Sequence, residues 1–393
     1  MIAGEQQLEI VRHDQLPAGS LTPLLKMLWS PSADLNAGHL EWKYNLNPYS
    51  STPLIYVAMA GDSVIGMRGI FGCRWECGAG ETFPAMCAGD LVVTPEHRGR
   101  GVMTAIMNRA FRDLEVIGVK WLFNFSAGAA TRLTSLVAGW GTTPPIERMR
   151  RSAQNNPKKS RLFVPKAGSV AAKVRTTAIE AGHRIERGET PFASAMRRVT
   201  RWDPFTGADK THVGEKENGV EMTSVPRPMA MADLAIRVRP TEKIRHVSDE
   251  QYFDWRFQSP LSSYRFFFLG RSVIDAYLVL QARQFPMHGR IVRIAEWVGV
   301  TPEARRLVLE AALDACLRVP FEIWTSSLSA EDRATLAGCG FTQQAAKSAA
   351  EYTPAVLVRP VGSRIPPRPW LFAGHDVLDI NSWNLSLLDS DGC

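Results

Sequence analysis

The chain repeats itself, and that repeat limits its fold more than any other feature of its 393 residues. Leu40-Glu41-Trp42-Lys43-Tyr44 with Asn47-Pro48 returns as Phe253-Asp254-Trp255-Arg256-Phe257 with Ser259-Pro260. Each copy runs on into two β-type segments around a short turn. These are residues 54–59 and 64–70 about Gly61-Asp62, then residues 264–269 and 273–280 about Gly270-Arg271. Leu91-Val92-Val93 with Thr94-Pro95-Glu96 returns as Trp297-Val298-Gly299-Val300 with Thr301-Pro302-Glu303. A helical pattern follows in both copies (residues 307–317 in the second), then a strand over residues 121–125 or 321–324, then a helix ending at Gly139-Trp140 or Gly340-Phe341. The landmark offsets are 213 (Trp42 to Trp255), 207 (Pro95 to Pro302) and 201 (Gly139 to Gly340). Three landmarks in one order, with the offset drifting by one short loop at a time, predict a duplicated α/β unit. The expected fold is mixed α/β, with two like domains in tandem.

The copies differ where chemistry is expected. In the first, the apolar run Leu91-Val92-Val93 meets a Thr94-Pro95 turn, then Arg98-Gly99-Arg100-Gly101, then a helix. The helix is read from apolar residues at Met103, Ile106, Met107, Ala110, Phe111 and Leu114. Strand, basic glycine loop and helix N-terminus together hold a pyrophosphate. The glycines let backbone N–H groups approach the anion, the first helical turn has unused donors, and the arginines add charge-assisted bonds. A nucleotide P-loop does not fit, because there is no GxxxxGK[ST]; nor does a dinucleotide fold, because no GxGxxG opens a βαβ unit. The second copy reads Arg305-Arg306-Leu307-Val308, without glycine, so branched side chains are expected to fill its loop.

The first-copy loop resembles motif A of the GNAT acyltransferase superfamily, [QR]-x-x-G-x-[GA]. Here that pattern reads Arg98-Gly99-Arg100-Gly101-Val102-Met103, departing only at Met103. The tandem arrangement, the Trp42-Lys43-Tyr44 element and the Trp/Asp-rich tail are similar to GNAT proteins of bacterial exopolysaccharide and capsule clusters. Tandem architectures of this kind also occur in Fem-type aminoacyltransferases and in N-myristoyltransferase. The resemblance implies acyl-CoA, in the first instance acetyl-CoA, as donor. Its pyrophosphate would lie on residues 98–103, with Thr104 next to them, and Asn124, like Ser126, would stand near the thioester. Its pantetheine would run along Leu91, Val92 and Val93 like an added strand, and the backbone N–H of Leu91 or Val92 would serve the oxyanion. The family's usual base positions fall on Cys87 and Gly89, neither a good base, and the usual acidic Tyr falls on Ser135.

Candidate catalytic residues are therefore few. Asp90 is the one carboxylate on this strand, although simple alternation places it on the opposite face from Cys87 and Leu91 unless a bulge intervenes. Ser126 follows the next strand and serves equally as a helix cap. Trp42, Tyr44 and Cys87 are candidates for an acceptor pocket, with core packing as the alternative reading of each.

The expected organisation is a first domain, 1–147, with the acyl-CoA site; a basic linker, 148–218, with an amphipathic helix over 170–187; a degenerate second domain, 219–364; and a tail, 365–393. The tail ends in an aromatic, acidic stretch (Trp383, Asp389, Asp391, Cys393), read as a frayed terminus or as carboxylates able to reach the site. Net charge is +7, yet residues 148–201 hold 14 Lys/Arg against 3 Asp/Glu, a local +11 that leaves about −4 for the rest. That segment reads either as a dock for an acidic polymer or membrane face or as a solvated linker. Its few aromatics argue against a nucleic-acid stacking surface. No run of 18 apolar residues marks a membrane span, and the N-terminus has no signal-peptide pattern. Six scattered cysteines without a CxxC pair indicate neither zinc nor a disulfide framework, and the scattered histidines no other metal. The expectation is a cytoplasmic acyltransferase acting on a primary amine of a small molecule or amino sugar, its oligomeric state open, a homo-oligomer included. The alternatives are a non-catalytic CoA-binding scaffold and a Fem-like aminoacyltransferase.

Overall fold

A computed structural model describes residues 8–50, 52–78, 80–125, 129–153, 202–205, 219–285, 290–316, 318–344, 354–362, 364 and 366–390. The helix expected over 170–187, Ser126, Asp391 and Cys393 lie outside the described residues. The first half contains β1 (Leu8–Arg12), α1 (Thr22–Leu28), α2 (Ala33–Leu40), β2 (Leu54–Ala60), β3 (Ser63–Cys77), β4 (Glu81–Val93), α3 (Val102–Val116), β5 (Trp121–Asn124), α4 (Ala129–Val137), β6 (Gly141–Thr142) and β7 (Arg148–Arg151). The second contains β8 (Val220–Thr223), α5 (Pro228–Val238), β9 (Ile244–His246), α6 (Glu250–Arg256), β10 (Ser262–Leu269), β11 (Ala276–Arg283), β12 (Val292–Gly299), α7 (Pro302–Ala315), β13 (Phe321–Trp324), α8 (Ala330–Gly338), β14 (Thr342–Gln343) and β15 (Leu357–Pro360). None of the described helices is long and apolar enough to cross a membrane.

The expected duplication appears as two sheets of one design. The first runs β1-β2-β3-β4-β5-β15-β6 and the second β8-β10-β11-β12-β13-β7-β14. Each is antiparallel until its β4–β5 or β12–β13 pair, which is parallel. In each copy a helix (α3 or α7) returns between that parallel pair, as a parallel connection requires. Helix α3 buries Val102, Ile106, Met107, Ala110 and Leu114 against Ile70, Met86, Ala88 and Leu122 of the sheet. Its apolar spacing is the helical period read in the sequence.

The halves exchange their last strands. β7 leaves the first copy and pairs with β13, Arg148 opposite Trp324; β15 leaves the second and pairs with β5, Leu357 opposite Asn124. Two expected boundaries are therefore corrected. Residues 148–151 are not linker but a strand of the second sheet, where Arg150 and Arg148 lie 2.6 and 3.6 Å from Glu322. Residues 357–360, assigned to the second domain, complete the first sheet. Because each edge pairing lies in the other copy, neither domain closes its sheet alone.

A shared core locks the exchange. Trp42 and Trp255 stack with centroids 5.0 Å apart. Each indole donates to the other's backbone carbonyl, at 2.7 Å from Trp42 and 2.8 Å from Trp255. The repeat partners in sequence thus meet each other in space. The tail is not frayed over its described length: Trp370, Val377, Trp383, Leu385, Leu387 and Leu388 are buried in the same core. Trp383 meets Trp75 and Phe123 edge to face, each at 5.2 Å, a geometry that adds about 0.5–1.5 kcal/mol per pair beyond area burial.

Candidate active site

The β4–α3 connection is an open anion cradle. Gly99 and Gly101 have φ of 73° and 76°, in the left-handed region, and no atom lies within 4 Å of where their Cβ atoms would be. The backbone is therefore uncovered, and only glycine adopts this shape without strain. The first helical bond is donated by Ala105 to Gly101. Among the described residues, no backbone N–H from Gly99 to Thr104 makes a hydrogen bond. Arg98 folds back, its Nε donating to the Val93 carbonyl at 3.1 Å, while Arg100 is exposed. Such a row of unused donors at a helix start, flanked by arginines, binds an anion.

Past Cys87, β4 parts from β5. The two pair only at Ala85–Trp121, Met86–Leu122 and Cys87–Phe123. Asn124 crosses the root of the fork, its Nδ2 donating to the Ala88 carbonyl at 2.8 Å, and Arg68 donates to the same oxygen at 2.9 Å. On the side facing β5, the β4 edge from Ala88 to Val93 has no partner strand among the described residues, an opening into which an extended ligand fits.

A bulge settles the position of Asp90. Met67 pairs with Val92 and Gly69 with Gly89, so Asp90 and Leu91 together oppose Arg68. Asp90 takes φ 49°, which Asp tolerates better than most residues. Simple alternation is therefore broken, and the carboxylate turns to the face shared with Cys87. There it meets Lys43 Nζ at 2.8 Å, the Tyr44 hydroxyl at 2.5 Å and Trp29 Nε1 at 2.9 Å. A π-helical turn at Glu41–Asn45, closed by Leu46 N–H to the Glu41 carbonyl, points Trp42, Lys43 and Tyr44 inward together. Tyr44 crosses Gly69, where a Cβ would lie 1.7 Å from its hydroxyl, so the glycine is required. Burial alone would raise Asp90, but Lys43 and the hydrogen bonds outweigh it and hold the group at about 2.

The other expected residues are placed as follows. Leu91 and Val93 are half-buried on the open edge, Val92 and Val102 are buried, and Met103 and Thr104 lie in the first turn of α3. Cys87 and Trp42 line a small cavity of about 20 Å³ with Lys43, His246 and Asp389; Tyr44 does not reach it. Four partners were missed in the sequence. Lys43 had a signal, as a cation between two aromatics, whereas Arg68, His246 and Glu296 had none.

The second copy treats the same junction differently. Helix α7 starts at Pro302, separated by two residues from the end of β12, and Thr301 caps it by accepting the Ala304 N–H at 3.1 Å. The Arg305 N–H is taken by the Thr301 carbonyl. The expected loop filled by side chains is thus absent; the helix simply begins earlier and uses its own donors. Arg305 pairs with Asp332 at 2.7 Å. β12 and β13 still part after Arg293–Glu322, and a cavity of about 430 Å³ opens there. Glu296 and Asp389 face it. Burial pushes Glu296 up to about 8 against the hydrogen bond from Tyr277, and Asp389 to about 7 against its bonds from Ser386 and the charge of Arg256.

Comparison with known proteins agrees with this geometry. Residues 30–134, which include the π-turn, the bulge and the glycine loop, match the family model of the acetyltransferase (GNAT) domain. A GCN5-related N-acetyltransferase from Anabaena variabilis superposes with a TM-score of 0.55 at 12% identity, covering 91% of this chain and 73% of that one. One from Kribbella flavida superposes at 0.51 and 14% identity, covering 91% and 71%. No curated protein matches the sequence. At these identities the solved structures speak for the fold, and the family match speaks for the first half. The chain has the GNAT fold, and within its first half residues 30–134 match the GNAT acetyltransferase domain.

Proposed function

We propose that the protein is an acyl-CoA-dependent N-acyltransferase, with acetyl-CoA as the simplest donor and a primary amine of a small molecule or amino sugar as acceptor. One observation carries this reading: the row of unused N–H groups from Gly99 to Thr104 at the start of α3. On this reading the diphosphate lies on that row, with Arg98 and Arg100 beside it. The pantetheine takes the open edge at Leu91, Val92 and Val93, and Asn124 marks the fork. The thioester then lies near Cys87 and Asp90.

The amine attacks the thioester carbonyl, its proton is lost, the C–S bond breaks and the thiolate leaves with a proton. Asp90, held at about 2, is a poor proton acceptor, and its bonds suit it to fix the bulge. Asp389, at about 7 and lining the cavity beside Cys87, is the better base. Ser126 remains a candidate donor to the leaving thiolate. A bacterial, cytoplasmic setting in a polysaccharide pathway is consistent with the resemblance and forms part of this proposal.

The test is thiol release from acetyl-CoA over a panel of primary amines, with mass spectrometry of the products. Release with at least one amine, giving a mono-acetylated product, is expected. A protein that binds acetyl-CoA yet releases no thiol above background with any amine would overturn the enzymatic reading.

A further inference from the structure

A cavity of about 430 Å³ lies outside the fork that carries the anion loop. It occupies the fork between β12 and β13, the place that corresponds to the cofactor fork of the first copy. Three observations argue that it has changed ligand. First, its helix start offers no row of donors, because Thr301 and the helix itself use them. Second, its charged groups pair off unequally. Arg245 and Arg239 meet Glu76 at 2.9 and 3.4 Å, Arg305 meets Asp332, and Asp249 is held by Arg74 from the first half. Glu296 and Asp389 have no salt-bridge partner among the described residues, with only the Tyr277 hydroxyl and Ser386 as hydrogen-bond donors to them and Arg256 nearby. Third, His246, only 9% exposed, lines the same cavity, and its Nδ1 has no hydrogen-bond partner. Burial, then the charge of Arg256, keeps this imidazole neutral.

The geometry points to the second-copy fork as a binding site for an organic ammonium group, supplied by an acceptor that carries two amino groups. This deepens the acyltransferase reading above and rests on it. A diphosphate would face Glu296 and Asp389 while the arginines of the lining, Arg239, Arg245 and Arg305, are already held by Glu76 and Asp332, whereas an ammonium has three N–H groups for Glu296, Asp389 and the neutral His246. The apolar walls, Ile294, Val298 and Leu385 among them, suit a short methylene chain. The volume falls in the ordinary range for small-molecule sites. The site also has a direction. His246 and Asp389 line both this cavity and the small one beside Cys87 and Lys43. One amino group held at Glu296 would leave the second pointing toward the thioester end of the first fork. Because Glu296 and Asp389 are raised in the empty protein, capture of an ammonium ionises them and releases protons to the buffer.

Calorimetry at pH 7 tests this with 1,4-diaminobutane and n-butylamine, in two buffers of different ionisation enthalpy, on wild type and Glu296→Gln. The substitution keeps shape, and a melting curve checks the fold. The diamine is expected to bind at least tenfold tighter than the monoamine and with proton release, also to the acetyl-CoA complex. Glu296→Gln is expected to weaken the diamine at least tenfold while leaving acetyl-CoA affinity unchanged and without lowering the melting temperature. Equal diamine affinity in wild type and variant, absence of diamine binding, or displacement of diamine by acetyl-CoA would each overturn the ammonium site. A protein that binds the diamine in this way but not acetyl-CoA would instead sink the acyltransferase reading and leave the site standing.

Discussion

The two halves solve one strand-to-helix junction in opposite ways. In the first, eight residues from Thr94 to Gly101 separate the strand from the helix, and two left-handed glycines leave six consecutive N–H groups unused. In the second, the helix starts one residue after Thr301 and consumes its own donors. The same contrast appears in the carboxylates of the two forks. Asp90 is ion-paired with Lys43 and held low; Glu296 and Asp389 have no salt-bridge partner among the described residues, and burial raises them. Duplication kept the sheet order, while the helix start and the charge of the fork diverged. A site is thus defined by a few residues at a junction rather than by the fold that carries it.

The largest effect should come from the junction itself. Gly101→Glu places a side chain and a negative charge where an anion would lie, at a φ of 76°. It is expected to abolish measurable acetyl-CoA binding, a loss of roughly a thousandfold or more. Titration of the purified variant checks this. Next comes the buried pair: Asp90→Asn leaves Lys43 buried without its counter-charge and should cost about 3–5 kcal/mol in urea unfolding. Third, the forks should respond to pH with opposite sign. Asp90 is lowered from 3.8 to about 2, so its contribution is complete above pH of about 4 and disappears as pH falls toward 2. Glu296 and Asp389 are raised to about 8 and about 7, so theirs is complete in acid and disappears as pH rises through 7 to 8. Stability should therefore fall between pH 5 and 8, and Glu296→Gln should remove on the order of 1–3 kcal/mol of that decline. Fourth, Trp42→Phe keeps the stack but drops the indole bond to the Trp255 carbonyl, at about 1 kcal/mol. Smallest is Arg306→Glu at the second junction, a half-buried residue in short-range pairs with Glu303 and Glu310. Acetyl-CoA affinity should not change, and stability should shift by less than about 1 kcal/mol.

Much of this contrast could be read from residue order. The repeat foretold two sheets of one design, and the glycines at 99 and 101 foretold the uncovered backbone, because left-handed φ and open space are local demands. The strand exchange was not legible, since nothing in Arg148–Arg151 or Leu357–Pro360 records which β5-type strand each will join. The bulge stood only as an exception to simple alternation, which assumes a regular pleat, and Asp90 breaks that pleat at a cost that the Lys43, Tyr44 and Trp29 bonds offset. The second fork draws His246, Glu296 and Asp389 from three distant segments, so no local spacing announces it. The frayed reading of the tail rested on its Asp residues, although Trp383, Leu385, Leu387 and Leu388 already carried the apolar signal.

The central claim is that one helix start, and only the one in the first half, holds the cofactor's diphosphate. The direct measurement is the stoichiometry of acetyl-CoA binding by calorimetry. The account predicts one site per chain, lost on Gly101→Glu and kept on Arg306→Glu. Two sites per chain, or one that survives Gly101→Glu, would contradict it.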